Sequence, residues 1–287
     1  MTELSYFLVE RVLHNSVNVM KRQREEADIA DYPLYSHDEV DEIAPLFQGY
    51  KYNREVAWSA YQRGRSDVDS PTLEFFDAGH ALGSAGVLVR GKRETLFYTG
   101  DVCFRDQTIL KGARFEDVQA DVLIMETTFG KPQYVFPPTE EVMRAITAFC
   151  HLAVDEGAVP VLFGYSLGKS QELLCGLAAA GLPVMLHPQA LRLTRIYANT
   201  GIALPAYTPF DAASCRGHVV ICPPQGPSSP FLRQIPRRRT AMISGWAVEP
   251  GAVHRYQCDA AFPLSDHADC PDLLRFVEAV QPKRVLT

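Results

Sequence analysis

The sequence predicts an α/β fold, and three observations support that prediction. The 287 residues are 47% hydrophobic and 22% charged, which is typical of a globular protein and excludes a disordered or fibrous chain. Short apolar runs between glycines and charged turns predict a strand-rich first half. After residues 137–138, a Pro-Pro pair, apolar runs alternate with segments of helical periodicity, which indicates parallel strands joined by helices. This length allows one large domain or two of ordinary size.

The first half of the chain begins with a predicted helix. Apolar residues within 2–26 fall near one helical face, and basic residues follow at its end. Ser36 and Glu39 have the spacing of a capping box, which predicts a second, short helix. The strands that we predict next are residues 72–76, 86–89, 95–98 and 122–125.

The second half alternates between the two kinds of element. Predicted helices cover 139–156, 169–180 and 189–199, and predicted strands cover 159–163 and 183–186. Residues 223–239 are rich in Pro, Ser and Arg and predict a loop. A strand at 240–244, a helix at 272–280 and a strand at 284–286 complete the prediction.

Charge and cysteine content narrow the class of protein. The formal net charge of −6 argues against a nucleic-acid binder that relies on bulk positive charge, although it allows a local basic groove. The seven cysteines form no CxxC pair, which favours free thiols in a reducing cytoplasm. We find neither a signal peptide nor an apolar stretch that suits a membrane span, so we predict a cytoplasmic protein.

Four polar residues occupy positions that suit a metal or acid–base site. His80 lies in a glycine-flanked loop between two predicted strands, and Asp101 follows a strand in a Gly-Asp turn. Glu126 ends a buried strand, where a carboxylate can orient a histidine. His267 stands between two aspartates, which raise the pKa of an imidazole. Taken singly, each of the four residues more often has a structural role in a turn or cap.

The segment 164–170 permits a different chemistry. It matches Gly-x-Ser-x-Gly and lies between a predicted strand and a predicted helix, as a nucleophile elbow requires. A serine hydrolase could then combine Ser166 with His267 and either Asp211 or Asp259. The same segment has one residue too few before its Gly-Lys pair to form a phosphate-binding P-loop.

A basic run, Arg237 to Arg239, has two interpretations. Its guanidinium groups could contact phosphates. Short basic runs are more often solvated surface, and the negative net charge favours that simpler interpretation.

The motifs, taken in order, resemble those of one family. GHALGSAG, YTGD, METTFG, GYSLGKSQELL, SGW, LSDHAD and PKRVLT together resemble the β-CASP branch of metallo-β-lactamase-fold nucleases, bacterial RNA 3′-end-processing nucleases and DNA-ligase-associated exonucleases above all. The resemblance implies a partial metallo-β-lactamase αββα sandwich, formed by 1–130 and 265–287. It also implies an inserted α/β β-CASP domain over 131–264, with the active site between the two domains.

The resemblance assigns roles to individual residues. His80 would be a zinc ligand, and Asp101 would bridge two zinc ions. Glu126 would support His267, which would hold the scissile phosphate and protonate the leaving oxygen. Substrate contacts would come from Ser166, Lys169, Ser244, Gly245 and Ser265.

The function implied is zinc-dependent hydrolysis of phosphodiesters in RNA or single-stranded DNA, by a protein that could be a homodimer. The family's HxHxDH motif is absent, and the chain stops at Thr287, one residue before the family's final histidine or valine. His14 and His37 show no ligand spacing. We therefore expect weak zinc binding and poor turnover. A serine hydrolase and a non-catalytic nucleic-acid-binding relative remain as alternatives.

Overall fold

The computed structural model describes residues 1–58, 70–115, 117–235 and 237–287. Position 236 of the predicted loop, and positions 59–69 and 116 of the predicted first domain, lie outside the described residues. The described residues of the first half form two α-helices, a short 3₁₀ helix (Ala44–Leu46) and five strands. They are α1 (Glu3–Ala27), α2 (His37–Ile43), β1 (Val56–Ala57), β2 (Thr72–Asp77), β3 (Ala85–Arg90), β4 (Thr95–Tyr98) and β5 (Val122–Ile124).

The second half alternates helices and strands over most of its length. Its elements are α3 (Thr139–Asp155), β6 (Val159–Phe163), α4 (Lys169–Ala179), β7 (Val184–Leu186), α5 (Pro188–Asn199), β8 (Thr208–Pro209), β9 (Val219–Cys222), α6 (Pro230–Arg233), β10 (Arg238–Ile243), α7 (Ala252–Tyr256), β11 (Ala260–Phe262), α8 (Cys270–Val280) and β12 (Arg284–Leu286). A second 3₁₀ helix covers Gly245–Val248. The predicted α/β class is confirmed.

The described strands form two six-stranded sheets. The first sheet has the order β1-β2-β3-β4-β5-β12. It is antiparallel from β1 to β4, whereas β4, β5 and β12 run parallel. The second sheet has the order β11-β10-β6-β9-β7-β8, and all its pairs are parallel. The first sheet thus combines five strands of the first half with β12 from the end of the chain, and the proposed division into two domains stays a prediction.

Each sheet has its own hydrophobic core. Every residue of β6 is buried, as expected for a parallel strand covered on both faces. One face of the second sheet packs on helices that include α3 and α4, through side chains such as Ile146 and Leu173. The first sheet packs on α8, where Phe97 and Phe115 contact Phe276 at ring-centroid distances of 6.0 and 5.5 Å.

The structure corrects several predicted elements. Residues 223–239 are not one loop, because α6 lies within them and β10 already begins at Arg238. The short strands β1, β8, β9 and β11 were not predicted, because none of them is longer than four residues. The capping box at Ser36 and Glu39 is present. All seven cysteines are free thiols. Among the described residues, no helix combines the length and hydrophobicity that a membrane span requires.

Candidate metal and catalytic site

His80 lies in the tight turn that follows β2. Gly79 before it has a φ of +67°, and a Cβ there would stand 2.5 Å from the carbonyl oxygen of Cys103. This position therefore requires glycine. Nδ1 of His80 lies 2.9 Å from the carbonyl oxygen of Asp266. Because a carbonyl only accepts, Nδ1 carries the proton and Nε2 keeps a lone pair, which is the usual arrangement of a metal-binding histidine.

Asp101 stands opposite that lone pair. It follows β4, and one of its carboxylate oxygens lies 4.0 Å from Nε2 of His80. The Asp101 side chain is well exposed, so it is open to solvent and to a ligand. Ligand atoms of His80, Asp101 and His267 all lie within 4.8 Å of one another.

Glu126 and His267 form a buried pair across the site. Nδ1 of His267 lies 2.9 Å from one carboxylate oxygen of Glu126 and 3.1 Å from the other. The backbone N–H of Val102 donates to the same carboxylate at 2.6 Å. The contact between the two side chains is the one that the sequence predicted, and it leaves Nε2 of His267 directed away from Glu126.

The contact between the two side chains favours a lower pKa for Glu126 and a higher pKa for His267. Burial is the largest influence on the pKa of Glu126 and raises it, but the hydrogen bond and charge of His267, together with the N–H of Val102, bring the pKa below the ordinary 4.5. Burial is also the largest influence on the pKa of His267 and lowers it, but the hydrogen bond and charge of Glu126, together with the charges of Asp266 and Asp101, bring the pKa above 6.5. The charged forms of both side chains are therefore favoured.

The donors present fit one divalent ion. Two imidazoles and one carboxylate are side chains that zinc accepts, and three such ligands leave a coordination position open. Nδ1 of each imidazole is held by an acceptor, so Nε2 of His80 has a lone pair for the ion, and Nε2 of His267 has one only when that ring is neutral. Among the described residues, no fourth His, Cys, Asp or Glu joins this group. The set supports one ion more readily than the two ions of a complete family member.

A cavity of about 300 Å³ opens beside these side chains. Both His80 and His267 line it. Of the five residues predicted to bind substrate, four line it: Lys169, Ser244, Gly245 and Ser265. Ser166 is not among the lining residues, and its carbonyl oxygen accepts a hydrogen bond from Gln171 at 3.1 Å.

Aromatic side chains complete the cavity, and sequence reasoning did not single them out. Phe129, Tyr165 and Trp246 line it, with Phe129 and Trp246 in ring contact at 4.6 Å between centroids. Each of them belongs to a motif that the sequence analysis quoted, which was the available signal. Tyr165 is exposed and presents a flat surface on which a base could stack.

Lys169 is buried at the first position of α4. Its side chain is 2% exposed, and Nζ lies 3.3 Å from the carboxylate of Asp266. Burial is the largest influence on the pKa of Asp266 and raises it, but the charges of Lys169, His80 and His267 together hold the pKa below its ordinary value. Since Asp266 also accepts from His80 through its backbone, Lys169 is linked to the candidate metal ligand.

Two hydrogen-bonded contacts hold α4 and α5 against the loops of the first sheet. The backbone N–H and the hydroxyl of Thr108 donate to Glu172, the hydroxyl at 2.7 Å. The N–H of Leu82 donates to the phenol oxygen of Tyr197 at 3.1 Å. The cavity therefore lies between elements of both sheets.

The structure does not assemble a serine triad. His267 bonds Glu126, while Asp211 accepts from its own loop and Asp259 accepts from the N–H of Thr240 at 2.6 Å. Neither aspartate thus orients His267. The strand–turn–helix context predicted for Ser166 is present, but the acid and base of an esterase are not paired with it.

The basic run is engaged in local contacts. Arg237 donates to the carbonyl of Glu156, Arg238 donates to the carbonyl of Leu232 at 2.9 Å, and Arg239 pairs with the carboxylate of Glu156 at 2.7 Å. These contacts favour a structural role over binding of phosphates.

Comparisons with known proteins give three informative relatives. A probable DNA ligase of Opitutus terrae is 60% identical over 214 residues, which is 73% of this chain and 21% of that protein. The RNase aCSPSF2 of Saccharolobus solfataricus is 28% identical over 154 residues, which is 53% of this chain and 29% of that protein. Subunit 3 of the cleavage and polyadenylation specificity factor of Dictyostelium discoideum is 34% identical over 144 residues, which is 50% of this chain and 17% of that protein.

The chain spans less than a third of the length of each of these relatives. No protein-family model matches it.

Proposed function

Because the chain belongs to the β-CASP branch of metallo-β-lactamase-fold nucleases, we propose that it is a metal-dependent phosphodiester hydrolase acting on RNA or single-stranded DNA. One observation carries the proposal. The imidazole of His267, held by Glu126, lies beside His80 and Asp101 at the edge of the cavity.

We assign the metal to His80 and Asp101, with zinc as the ion. Bound zinc supplies Lewis-acid chemistry at a phosphoryl oxygen. His267 could serve as a ligand or as an acid, and both roles use Nε2. The raised pKa of His267 favours its protonated form, which repels a metal ion and can donate a proton. We therefore assign His267 as the acid that protonates the leaving oxygen.

Glu126 keeps His267 in the form that this role needs. Its carboxylate accepts from Nδ1 and stabilises the imidazolium, so the transferable proton sits on Nε2. Glu126 contacts no part of the cavity itself, so it acts through His267 as a positioning residue.

The cavity supplies the substrate contacts. The hydroxyl of Ser244 accepts from the N–H of Trp246 at 3.3 Å, and that of Ser265 accepts from the N–H of His267 at 3.0 Å. The Ser244 hydroxyl keeps its hydrogen to donate to a phosphate oxygen, whereas the Ser265 hydroxyl also donates to the carbonyl oxygen of His267 at 3.3 Å. Lys169 adds positive charge, partly offset by Asp266. Ser166 lies outside the cavity lining, and we assign it to the turn before α4.

The remaining predictions concern the whole molecule. The division into a metallo-β-lactamase-like part (1–130 and 265–287) and a β-CASP-like part (131–264) agrees with the composition of the two sheets but has no independent test. A cytoplasmic location, a homodimer and roles in RNA processing or DNA repair also stay predictions.

The test is hydrolysis of labelled RNA and single-stranded DNA with added Zn²⁺ or with a chelator. We expect metal-dependent cleavage and a slow rate, because only His80 and Asp101 would hold the ion. His267→Ala should reduce that rate by about 10²–10⁴-fold, the usual contribution of a general acid. His254→Ala, which removes an exposed imidazole on α7, is the matched control and should not change the rate.

Two results would contradict the proposal. One is the absence of cleavage of either nucleic acid at any Zn²⁺ concentration by a folded protein. The other is cleavage that persists unchanged in both His267→Ala and Asp101→Asn.

The same assay identifies the preferred substrate. The ratio of the cleavage rate on RNA to that on single-stranded DNA assigns RNA or DNA.

A further inference from the structure

A second group of potential metal ligands lies outside the cavity lining, where α1 packs against α2. Glu10 and His14 stand one turn apart on α1, and His37 and Asp41 stand one turn apart on α2. Residues with this spacing share a helical face. Each of these helices carries a single histidine, so no histidine–histidine spacing marks the group in the sequence. The packing of the helices brings the two histidines together.

The hydrogen bonds of the two histidines determine where their protons lie. Nε2 of His37 is 3.2 Å from the side-chain oxygen of Asn18, so Nε2 carries a proton and Nδ1 of His37 has a lone pair. Nδ1 of His14 is 2.9 Å from that Nδ1, so His14 donates from Nδ1. In the neutral form of the His14 ring, the remaining nitrogen, Nε2, therefore has a lone pair.

That lone pair faces two carboxylates. Nε2 of His14 lies 3.2 Å from an oxygen of Asp41 and 4.0 Å from an oxygen of Glu10. The three atoms lie within 4.8 Å of one another. All three are acceptors, so they repel one another unless a cation is placed between them.

We propose that Glu10, His14 and Asp41 bind a divalent transition-metal ion, with His37 as the partner that orients His14. One imidazole and two carboxylates suit Zn²⁺, and the imidazole also suits Ni²⁺ or Cu²⁺. The side chain of His14 is 27% exposed and the carboxylates are more exposed, so an ion can enter from solvent. A bound ion would link α1 to α2 and stabilise their contact. The site is independent of the nuclease function proposed above.

The competing occupant is a proton on Nε2 of His14, shared with Asp41. Calorimetric titration with Zn²⁺ distinguishes the two occupants when it is done on a His80→Ala/Asp101→Asn variant, in which the candidate active site cannot contribute. We expect one ion per chain. Adding His14→Gln should weaken binding at least tenfold, and adding His37→Gln should weaken it about 10- to 100-fold, as loss of an orienting partner does.

Controls keep the outcome interpretable. His254→Gln removes an exposed histidine elsewhere and should leave the affinity unchanged. Circular dichroism checks that each variant keeps its helices, and Asp41→Asn tests the same site without removing an imidazole. Zn²⁺ should also raise the unfolding temperature of the His80→Ala/Asp101→Asn variant and not that of its His14→Gln derivative. Absence of Zn²⁺ binding to the double variant, or binding unaffected by His14→Gln and Asp41→Asn, overturns the proposal and leaves a proton as the occupant.

Discussion

Replacement of Glu126 by glutamine would test how its carboxylate fixes His267. One carboxylate oxygen accepts the N–H of Val102 at 2.6 Å, and the other accepts from Nδ1 of His267 at 2.9 Å. A glutamine side chain replaces one of the two carboxylate oxygens by an NH₂ group, so one of the two positions can no longer accept. Because a buried backbone N–H is costly to leave unpaired, we expect the oxygen to stay on Val102 and the NH₂ group to face His267.

That exchange reverses the tautomer of His267. Facing an NH₂ group, Nδ1 must accept, and the single proton of the neutral ring moves to Nε2. The imidazolium also loses its carboxylate partner, so the pKa of His267 should fall. Nuclease activity should decrease by about 10- to 100-fold, the usual effect of losing an orienting partner.

The structure also sets the expected loss of stability. The side chains of Glu126 and His267 are 6% and 20% exposed, so solvent screens their interaction little. A hydrogen bond between charged groups contributes about 1.5–3 kcal/mol. We therefore expect Glu126→Gln to lower the free energy of unfolding by about 1.5–3 kcal/mol at pH values at which Glu126 and His267 are both charged in the native protein.

The pH dependence has a definite sign. Because the pKa of Glu126 is lower in the folded protein than its ordinary value of 4.5, its ionisation stabilises the folded state fully above pH 4.5. That stabilisation is lost as the pH falls through the pKa of Glu126 in the folded protein. Because the pKa of His267 is higher in the folded protein than its ordinary value of 6.5, its protonation stabilises the folded state fully below pH 6.5. That stabilisation is lost as the pH rises through the pKa of His267 in the folded protein. The difference in the free energy of unfolding between the native protein and Glu126→Gln should be largest between pH 4.5 and pH 6.5 and smaller at alkaline pH.

Urea unfolding across this range measures the energy, and ¹⁵N NMR of the imidazole reports the tautomer. Glu249→Gln is the matched control, because Glu249 bonds Tyr134 and Arg255 and makes no contact with His267. If His267 kept its Nδ1 proton and an unchanged pKa in Glu126→Gln, the reasoning would be refuted.

Three further predictions concern the surroundings of the site. Lys169→Met leaves Asp266 buried without its partner and should lower the free energy of unfolding by about 3–5 kcal/mol in urea; an unchanged value would contradict the role of the pair. Gly79→Ala should lower the unfolding temperature far more than Gly251→Ala. A Cβ at residue 79 would meet a backbone oxygen at 2.5 Å, whereas a Cβ at residue 251 would meet nothing within 4 Å. The angle φ is positive at both glycines. Equal losses would show that φ alone decides. Ser166→Ala should change nuclease rates by no more than about twofold, as surface substitutions do; its loss of ester hydrolysis in a standard esterase assay would instead revive the hydrolase alternative.

Long apolar segments with local signals were predictable from sequence. The strand β6 was predicted with its observed bounds, because five buried residues lie between a helix and Gly164. The strand β9 was missed, because it is four residues long and follows a stretch without helical periodicity. The start of β10 was missed because Arg238 and Arg239 look like loop residues, although their charges are satisfied by local partners.

The candidate site was predictable to a similar degree. The four residues His80, Asp101, Glu126 and His267 each follow a strand, and the structure brings them together. Their roles stay predictions. The contact of His14 with His37 could not be predicted, since it depends on how two helices pack and not on any spacing within either of them.

The pairing of β12 with β5 has a consequence for the order of folding. Val122 to Ile124 pair in parallel with Arg284 to Leu286, and the whole second sheet lies between these segments in the chain. During synthesis the second sheet is therefore complete before the first sheet can receive its last strand. His267, which meets Glu126 only after the chain has returned, joins the site late. We expect the nascent chain to acquire a packed core before it acquires a working active site.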